Sequence, residues 1–513
     1  MAVIIDKQEF KDKVRPELKR HGKTIALCHG VFDLVHPGHL LHLKQAAKIA
    51  DVLAVSVTAS KFVRKGPGRP YFDDKTRLEF LAAINCVDYV LLSEGYTVHD
   101  IVEAVEPDFY VKGEEYSHED EDLTGKIREE RELVERHGGK IFYTTGQTYS
   151  STKLINNALS GLSDEVREYM LDFKKRHSLD EIKHYADAAA NLKVLIAGDI
   201  IIDRYTYCSI QGLISKEASY SARLLSSEDY LGGSLAIARH LSSFVNKENL
   251  TLSAIMGNED DMNLLVRSEL SDKVSLQLVN SFKYPTIVKH RYLSRHTLRD
   301  EYRKIFTINN IPEVQKYDQE ALSEFKNFLR KNISSYEAVF ICDFGHGLID
   351  QETINIIQDG AKYIALNCQT NSSNLGLNII TKYTRADAFS LDEKELKLAF
   401  PEHADDEEAG LKSLARHLHC GGWLTRGAEG AWGVELNGAI HKSPAYTLRV
   451  KDTVGAGDAF YAAACISAAA GADNEAALFM GNIAGALGAN IVGNKEPVEK
   501  VNILKFASTL INV

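Results

Sequence analysis

Apolar residues along this chain come in short runs separated by amphipathic stretches. Thr24-Ile25-Ala26-Leu27 is continuous enough to be a buried parallel strand. A turn rich in Gly, Asp and Pro follows. The spacing of Leu40, Leu43, Ala46 and Ala47 then predicts a helix over about 38–49. The same rhythm repeats: strands at 52–57, 89–92, 109–111 and 140–143, with helices over about 74–85, 97–105 and 127–137. Alternation of this kind predicts a parallel α/β sheet with ligands at the carboxyl ends of its strands. From 164 to 191 the pattern changes to charged helix, with Val166, Tyr169, Met170 and Phe173, then Leu179, Ile182 and Ala186, at helical spacing. Lacking Pro and any Gly/Ser tract, this stretch reads as a helical connector between the domains 1–160 and 191–513. Strand-helix alternation resumes at Lys193-Val194-Leu195-Ile196-Ala197. β-rich pieces near 206–225 and 284–308 suggest a small sheet over the mouth of a larger α/β domain.

Composition narrows this picture only a little. A length of 513 residues asks for two or three domains, and 44% apolar content supplies large cores. The net charge of -11 argues against nucleic-acid or anionic-membrane partners, for which a basic face is expected. Seven cysteines, none within four residues of another, give neither zinc spacing nor a disulfide framework. With Met1-Ala2-Val3 showing no signal peptide, the expected location is the cytoplasm. The Ala-rich run 459–472 is short for a membrane span and reads as a buried helix.

The chemistry concentrates at strand ends. The first strand runs into Cys28-His29-Gly30-Val31-Phe32-Asp33-Leu34-Val35-His36-Pro37-Gly38-His39, which opens the first helix. Orphan N–H groups and the helix dipole make such a start an anion site. His36 and His39, three apart, lie on one helix face, where two imidazoles can donate to charge growing on a phosphate. Lys61, Arg64 and Lys65 precede Gly66-Pro67-Gly68-Arg69-Pro70, a basic loop able to close over a polyphosphate. Lys112, Glu114 and Glu115 follow the strand at 109–111. Ser150, Ser151 and Thr152 precede an apolar helical run, as either an N-cap or a second phosphate site. Late in the chain, Asp452-Thr453-Val454-Gly455-Ala456-Gly457-Asp458 opens the Ala-rich helix. Its small residues let backbone N–H groups crowd an anion, and Asp458 in the first turn can take a proton from an attacking hydroxyl.

Taken together, residues 20–158 resemble the cytidylyltransferase-like nucleotidyltransferases. The resemblance rests on His29-Gly30-x-Phe32-Asp33, His36-x-Gly38-His39, the Lys65-to-Pro70 loop, Val111-Lys112-Gly113 and Ser150-Ser151-Thr152. The nearest branch is the adenylyltransferase half of the bifunctional heptose-phosphate kinase/adenylyltransferases. This implies a Rossmann-like domain joining ATP or CTP to a sugar or polyol phosphate. His36, His39 and Lys65 would serve the triphosphate, with Gly30, Phe32, Asp33, Arg69, Ser151 and Thr152 around the nucleotide. Lys112 and Glu115 would meet the substrate. The second segment resembles the ribokinase-like sugar kinases through Gly198…Asp203, Gly232-Gly233, Asp343-Phe344-Gly345, Asp392-Glu393-Lys394-Glu395, Thr425-Arg426-Gly427 and the Gly455-to-Asp458 turn. Gly198-Asp199-x-x-x-Asp203-Arg204-Tyr205 and Thr286-x-x-Lys289-x-Arg291 again look like the heptose-phosphate branch.

The second resemblance implies Asp458 as base and Gly455, Ala456 and Gly457 as anion hole. It places Asp203, Gly232 and Gly233 at the sugar, Thr425 and Gly427 at ATP, and Glu395 beside Mg²⁺ through water. The expected fold class is thus a Rossmann-like α/β domain followed by a ribokinase-like α/β domain with a β lid. Both halves point to one bifunctional family, in which the kinase usually comes first; here the order is reversed. The expected product is an ADP- or CDP-linked, heptose-like sugar for surface polysaccharide. Small sugars and nucleotides are the expected partners, with a homodimer or higher homo-oligomer as the assembly. Departures from the family pattern cluster in the sugar pocket. Ser234-Leu235-Ala236 stands where a small pair and an Asn are usual, Asn367 where Asp is common, Asp392 where Asn is common, and His346 where Lys is often found. Two alternatives therefore stay open: a second half that only binds ligand or dimerises, and a polyol-phosphate (for example glycerol phosphate) cytidylyltransferase.

Overall fold

The computed structural model describes residues 2–63, 70–95, 97–113, 126–144, 162–214, 219–295, 302–312, 317–370, 374–446 and 450–512. The chain divides into two units, Met1–Ser163 with Leu504–Val513, and Asp164–Ile503.

Six strands build the first unit: β1 (Val3–Ile4), β2 (Ile25–Gly30), β3 (Val52–Thr58), β4 (Tyr89–Ser93), β5 (Phe109–Gly113) and β6 (Lys140–Thr144). Their order is β1-β4-β3-β2-β5-β6, and every pairing is parallel. The apolar run at 24–27 is continuous because both faces of β2 are covered. Ile25 and Leu27 enter one core cluster with Ala54, Leu91 and Tyr110, while Ala26 and Cys28 enter another with Leu43, Val55 and Leu81. From β2 the chain moves to β3 on one side and later returns to β5 on the other. The strand order reverses there, and in open α/β sheets ligands bind beyond the carboxyl ends of the strands at such a reversal. The two-residue β1 is too short to show in the hydropathy pattern.

In the second unit a nine-stranded sheet carries β7 (Val194–Gly198), β10 (Leu250–Gly257), β11 (Ser275–Ser281), β14 (Ala338–Asp343), β15 (Ile364–Cys368), β16 (Ala388–Asp392), β17 (Gly421–Thr425), β18 (Ala431–Val434) and β19 (Ile440–Ser443). The order is β11-β10-β7-β14-β15-β16-β17-β18-β19, parallel as far as β17 and antiparallel beyond it. A second sheet, ordered β13-β12-β8-β9, holds β8 (Ile200–Leu213), β9 (Tyr220–Gly233), β12 (Ile287–Arg295) and β13 (Tyr302–Asn310). This is the small β layer expected from the pieces near 206–225 and 284–308. The run at 459–472 lies in the helix Ala456–Ala469, buried from Ala459 to Ser467. The Tyr461 hydroxyl reaches the Ile341 and Ala365 carbonyls, at 3.0 and 2.9 Å, pinning that helix to β14 and β15. The stretch read as a connector is part of this unit. Phe173 packs on Phe479 with ring centroids 4.4 Å apart, and Arg176 grips Glu475 with two hydrogen bonds.

Candidate active sites

In the first unit the helix Pro37–Ile49 starts directly beyond β2, with proline at its first position, where its missing N–H costs nothing. His36 is the N-cap. Its Nδ1 accepts from the Gly38 N–H at 3.1 Å, and the His36 N–H donates to His39 Nδ1 at 3.4 Å. The result is a capping box built from two imidazoles, whose rings stack with centroids 4.0 Å apart. Burial holds the His36 ring below its ordinary pKa, so it is neutral near pH 7. In a neutral ring whose Nδ1 accepts, the proton is on Nε2. The caps therefore fix both histidines as Nε2–H donors. Phe32 holds a left-handed backbone (φ 47°), and its ring lies 5.3 Å from that of His39. A Cβ on Gly30 would meet the Phe32 ring at 3.2 Å.

Other residues near this helix start make bracing contacts. Asp33 Oδ1 accepts from the Tyr71 and Phe72 N–H groups at 2.6 and 3.1 Å, anchoring the end of the loop that carries the basic stretch. Arg77, fully buried, donates to the Phe72, Val31 and Thr58 carbonyls, to Ser60 Oγ and to Asp74. It laces together the segments following β2 and β3. Lys112, at the end of β5, pairs with Glu130 at 2.6 Å. His42, one turn beyond His39, bonds Thr144 at the end of β6 at 2.8 Å, and burial pushes its pKa down to about 4. Lys65, Arg69, Glu115, Ser151 and Thr152 lie outside the described residues.

The second unit holds a cavity of about 1180 Å³ between the carboxyl ends of the large sheet's strands and the small sheet. Most of the residues singled out in this half line it: Asp203, Gly233, Glu395, Thr425, Gly427 and the whole turn Gly455-Ala456-Gly457-Asp458. Gly455 is the helix N-cap, with φ 83°. A carboxylate in the first turn of a helix facing a cavity can accept a proton. Asp458 is tuned for that: burial lifts it to about 6, against the hydrogen bond it accepts from Gln369 Nε2 at 2.9 Å. At the lid side, Arg291 ion-pairs with Asp203 Oδ1 and Asn494 Nδ2 donates to Oδ2 at 3.2 Å. Gly232 leaves room for that carboxylate: a Cβ there would sit 2.5 Å from Oδ2. Lys289 faces the same cavity with its pKa lowered by burial, and among the described residues no carboxylate pairs with it. Thr425 donates to the Leu391 carbonyl at 3.3 Å, and Gly427 opens the short turn after it into free space.

Glu395 completes a capping box with Asp392. Its oxygens accept from the Asp392 and Thr370 N–H groups, each at 3.0 Å, and burial first, then Asp392, pushes it up to about 8. Among the described residues no group of three His, Cys, Asp or Glu is placed to hold a metal. The Glu395 carboxylate facing the cavity is a hard oxygen donor of the kind that holds Mg²⁺ through water.

Of the positions that depart from the family pattern, Asn367 and Asp392 line the cavity, while Ser234 and His346 are fully buried. Asn367 donates to the Ser390 carbonyl at 3.1 Å and leaves its buried oxygen without a partner. His346 is fully buried; burial, then Lys289, lowers it to about 4. Two contributors escaped sequence reasoning as site residues, Gln369 and Asn494; Arg77 reads in the sequence only as opening the helix after the basic loop. Gln369 directly follows β15, and that position was its one available signal.

Two segments of the chain belong to known classes. Residues 27–157 match the cytidylyltransferase-like family, and residues 309–500 match the pfkB family of carbohydrate kinases. The chain thus carries a cytidylyltransferase-like domain ahead of a pfkB-type carbohydrate kinase domain. The N-terminal part is similar to the bifunctional protein HldE of Syntrophotalea carbinolica, 34% identical over 137 residues, 26% of this chain and 26% of that protein. It is likewise similar to the HldE protein of Desulfatibacillum aliphaticivorans, 35% identical over 157 residues, 30% of each. The chain spans about a quarter to a third of the length of these curated relatives. Phosphofructokinase-2 from Escherichia coli in complex with fructose-6-phosphate superposes with a TM-score of 0.48 at 14% identity, covering 62% of this chain and 99% of that one. Among the described residues no helix is long and apolar enough to cross a membrane.

Proposed function

We propose that this chain is a bifunctional enzyme of activated-sugar synthesis. The second unit phosphorylates a sugar or sugar phosphate from ATP. The first transfers a nucleotidyl group from ATP or CTP to a sugar phosphate, releases pyrophosphate, and yields a heptose-like nucleotide sugar for surface polysaccharide. The observation that carries the reading is Asp458: a carboxylate in the first turn of a cavity-facing helix, raised to about 6, in the same cavity as Asp203 and Lys289.

The acceptor hydroxyl would bind at Asp203, give its proton to Asp458 as the O–P bond forms, and leave ADP as the other product. The N–H groups of the Gly455-Ala456-Gly457 turn would hold the transferring phosphoryl group. Mg²⁺, held through water by Glu395, would neutralise charge on the nucleotide phosphates. Lys289, with no carboxylate partner among the described residues, favours an acceptor that carries its own phosphate. In the first unit the attacking group is already an anionic phosphate and needs no base. The Nε2–H groups of His36 and His39 would donate to the triphosphate as charge grows there. Lys65, Arg69, Ser151 and Thr152 would surround the nucleotide, and Lys112 and Glu115 the acceptor. Cytoplasmic placement and homo-oligomeric assembly belong to the same proposal.

One crossed experiment tests it. Wild-type protein is incubated with ATP or CTP and a panel including fructose 6-phosphate, sedoheptulose 7-phosphate, heptose phosphates and glycerol phosphate, with ADP and pyrophosphate read separately. Asp458→Asn should remove ADP release alone, and His36→Asn should remove pyrophosphate release alone. Absence of both products from the wild type with every pair would sink the proposal. Pyrophosphate without ADP would leave a transferase joined to a ligand-binding unit.

A further inference from the structure

The carboxylate expected to meet the acceptor and the turn expected to hold the phosphoryl group come from distant parts of the sequence. Asp203 lies on β8 of the small sheet, and Gly455 caps a helix of the large one. Their relative position decides whether an acceptor hydroxyl lines up with a phosphorus, and a misplacement of about 1 Å is enough to cost ~100-fold in rate.

A single side chain touches both. Asn494, 6% exposed, lines the cavity. Its Nδ2 donates to Asp203 Oδ2 at 3.2 Å. Its Oδ1 lies over Gly455, only 2.0 Å from where a Cβ on that residue would be. Gly455 is therefore glycine for two reasons, its φ of 83° and the Asn494 amide packed against it.

The turn bearing Asn494 is clamped on three sides. Arg239 donates to the Asn494 and Lys495 carbonyls at 2.9 and 3.1 Å. The Gly493 N–H donates to Asp452 Oδ2 at 3.0 Å, and Asp452 also accepts from Tyr205 and Lys304 of the small sheet at 3.2 and 3.1 Å. A Cβ on Gly493 would meet the Tyr205 ring at 2.7 Å, so the turn packs directly on β8. This bracing lets one amide act as a spacer.

We propose that Asn494 is a positioning residue for phosphoryl transfer, fixing Asp203 against the Gly455 anion hole so that a bound acceptor faces the nucleotide. The inference rests on the kinase reading above. It adds a residue from the end of the domain, with Arg239 as its support.

The test uses the full chain, with fructose 6-phosphate and sedoheptulose 7-phosphate as acceptors. Acceptor binding is measured by calorimetry with a non-hydrolysable ATP analogue present, and kcat and KM by ADP release. Asn494→Ala should raise acceptor Kd and KM by ~10-fold or more, with the KM for ATP changed far less. Asn494→Asp keeps the shape but sets a carboxylate against Asp203. Asp203, itself paired with Arg291, faces that side chain, while Arg239 and Asp452 bond the backbone around it. The Asp variant should therefore bind acceptor worst at pH 8 and recover toward pH 5.5, a pH signature that a purely structural role does not give. Acceptor Kd and KM within twofold of wild type in both variants, or an Asp variant with no pH dependence of its own, would overturn the assignment while leaving the kinase reading intact. A wild type that releases no ADP with any acceptor of the panel above overturns both.

Discussion

Two helix starts, each at strand carboxyl ends, carry opposite kinds of side chain. His36-Pro37-Gly38-His39 presents two imidazoles whose capping bonds leave Nε2–H as the donor. Gly455-Ala456-Gly457-Asp458 presents a carboxylate lifted toward neutrality by burial. The backbone device is the same, orphan N–H groups and a dipole aimed at an anion. What differs is the nucleophile each chemistry needs. A phosphate oxygen attacks unaided and asks only for stabilisation of the charge it builds up. A sugar hydroxyl must lose a proton, and a base has to stand beside it.

The sharpest way to break this contrast is to remove the base. Asp458→Asn is expected to lower sugar phosphorylation by ~10²–10⁴-fold while pyrophosphate release is unchanged, as read by coupled assays of ADP and pyrophosphate. Persistence of phosphorylation would mean the carboxylate is not the base. On the other side, Arg77→Met should destabilise the first unit by about 3 kcal/mol, because five hydrogen bonds of a fully buried guanidinium vanish together. Denaturant unfolding followed alongside both activities would show pyrophosphate release lost first. His36→Asn keeps a good N-cap residue but loses the ring, so the fold should hold while nucleotidyl transfer falls ~10²-fold. Transfer at the wild-type rate would reduce His36 to a cap.

The mildest test is by pH. As the proposed base Asp458 would act ionised, so kcat/KM for phosphorylation should fall as the medium is acidified through about pH 6. Gln369→Leu removes the hydrogen bond that favours the charged form and should move this acid limb upward by ~1 unit. An unmoved limb would separate Gln369 from the base.

Legibility in the sequence followed the distance between partners. The alternation of strands and helices, the β layer, the buried Ala-rich helix and both phosphate-type helix starts could all be read from local pattern. Each depends on residues within one or two turns of each other. Asp203 and Asp458 were legible only as motif members. That they share a cavity is a matter of how β8 folds over the large sheet. The stretch 164–191 reads as a helical connector whose periodic apolar positions pack, but that Phe173 and Arg176 find Phe479 and Glu475 some 300 residues later is a pairing no window could show.

By itself the sequence determined the two-part organisation, the α/β class and the kind of side chain each helix start offers, because periodicity, glycine placement and helix starts are local physics. The tertiary structure alone decided which side chains share a cavity: Gln369 on Asp458, Arg291 and Asn494 on Asp203, Asn494 against Gly455. It also decided the protonation states, since burial, a property of the folded whole, holds His36 neutral and lifts Asp458.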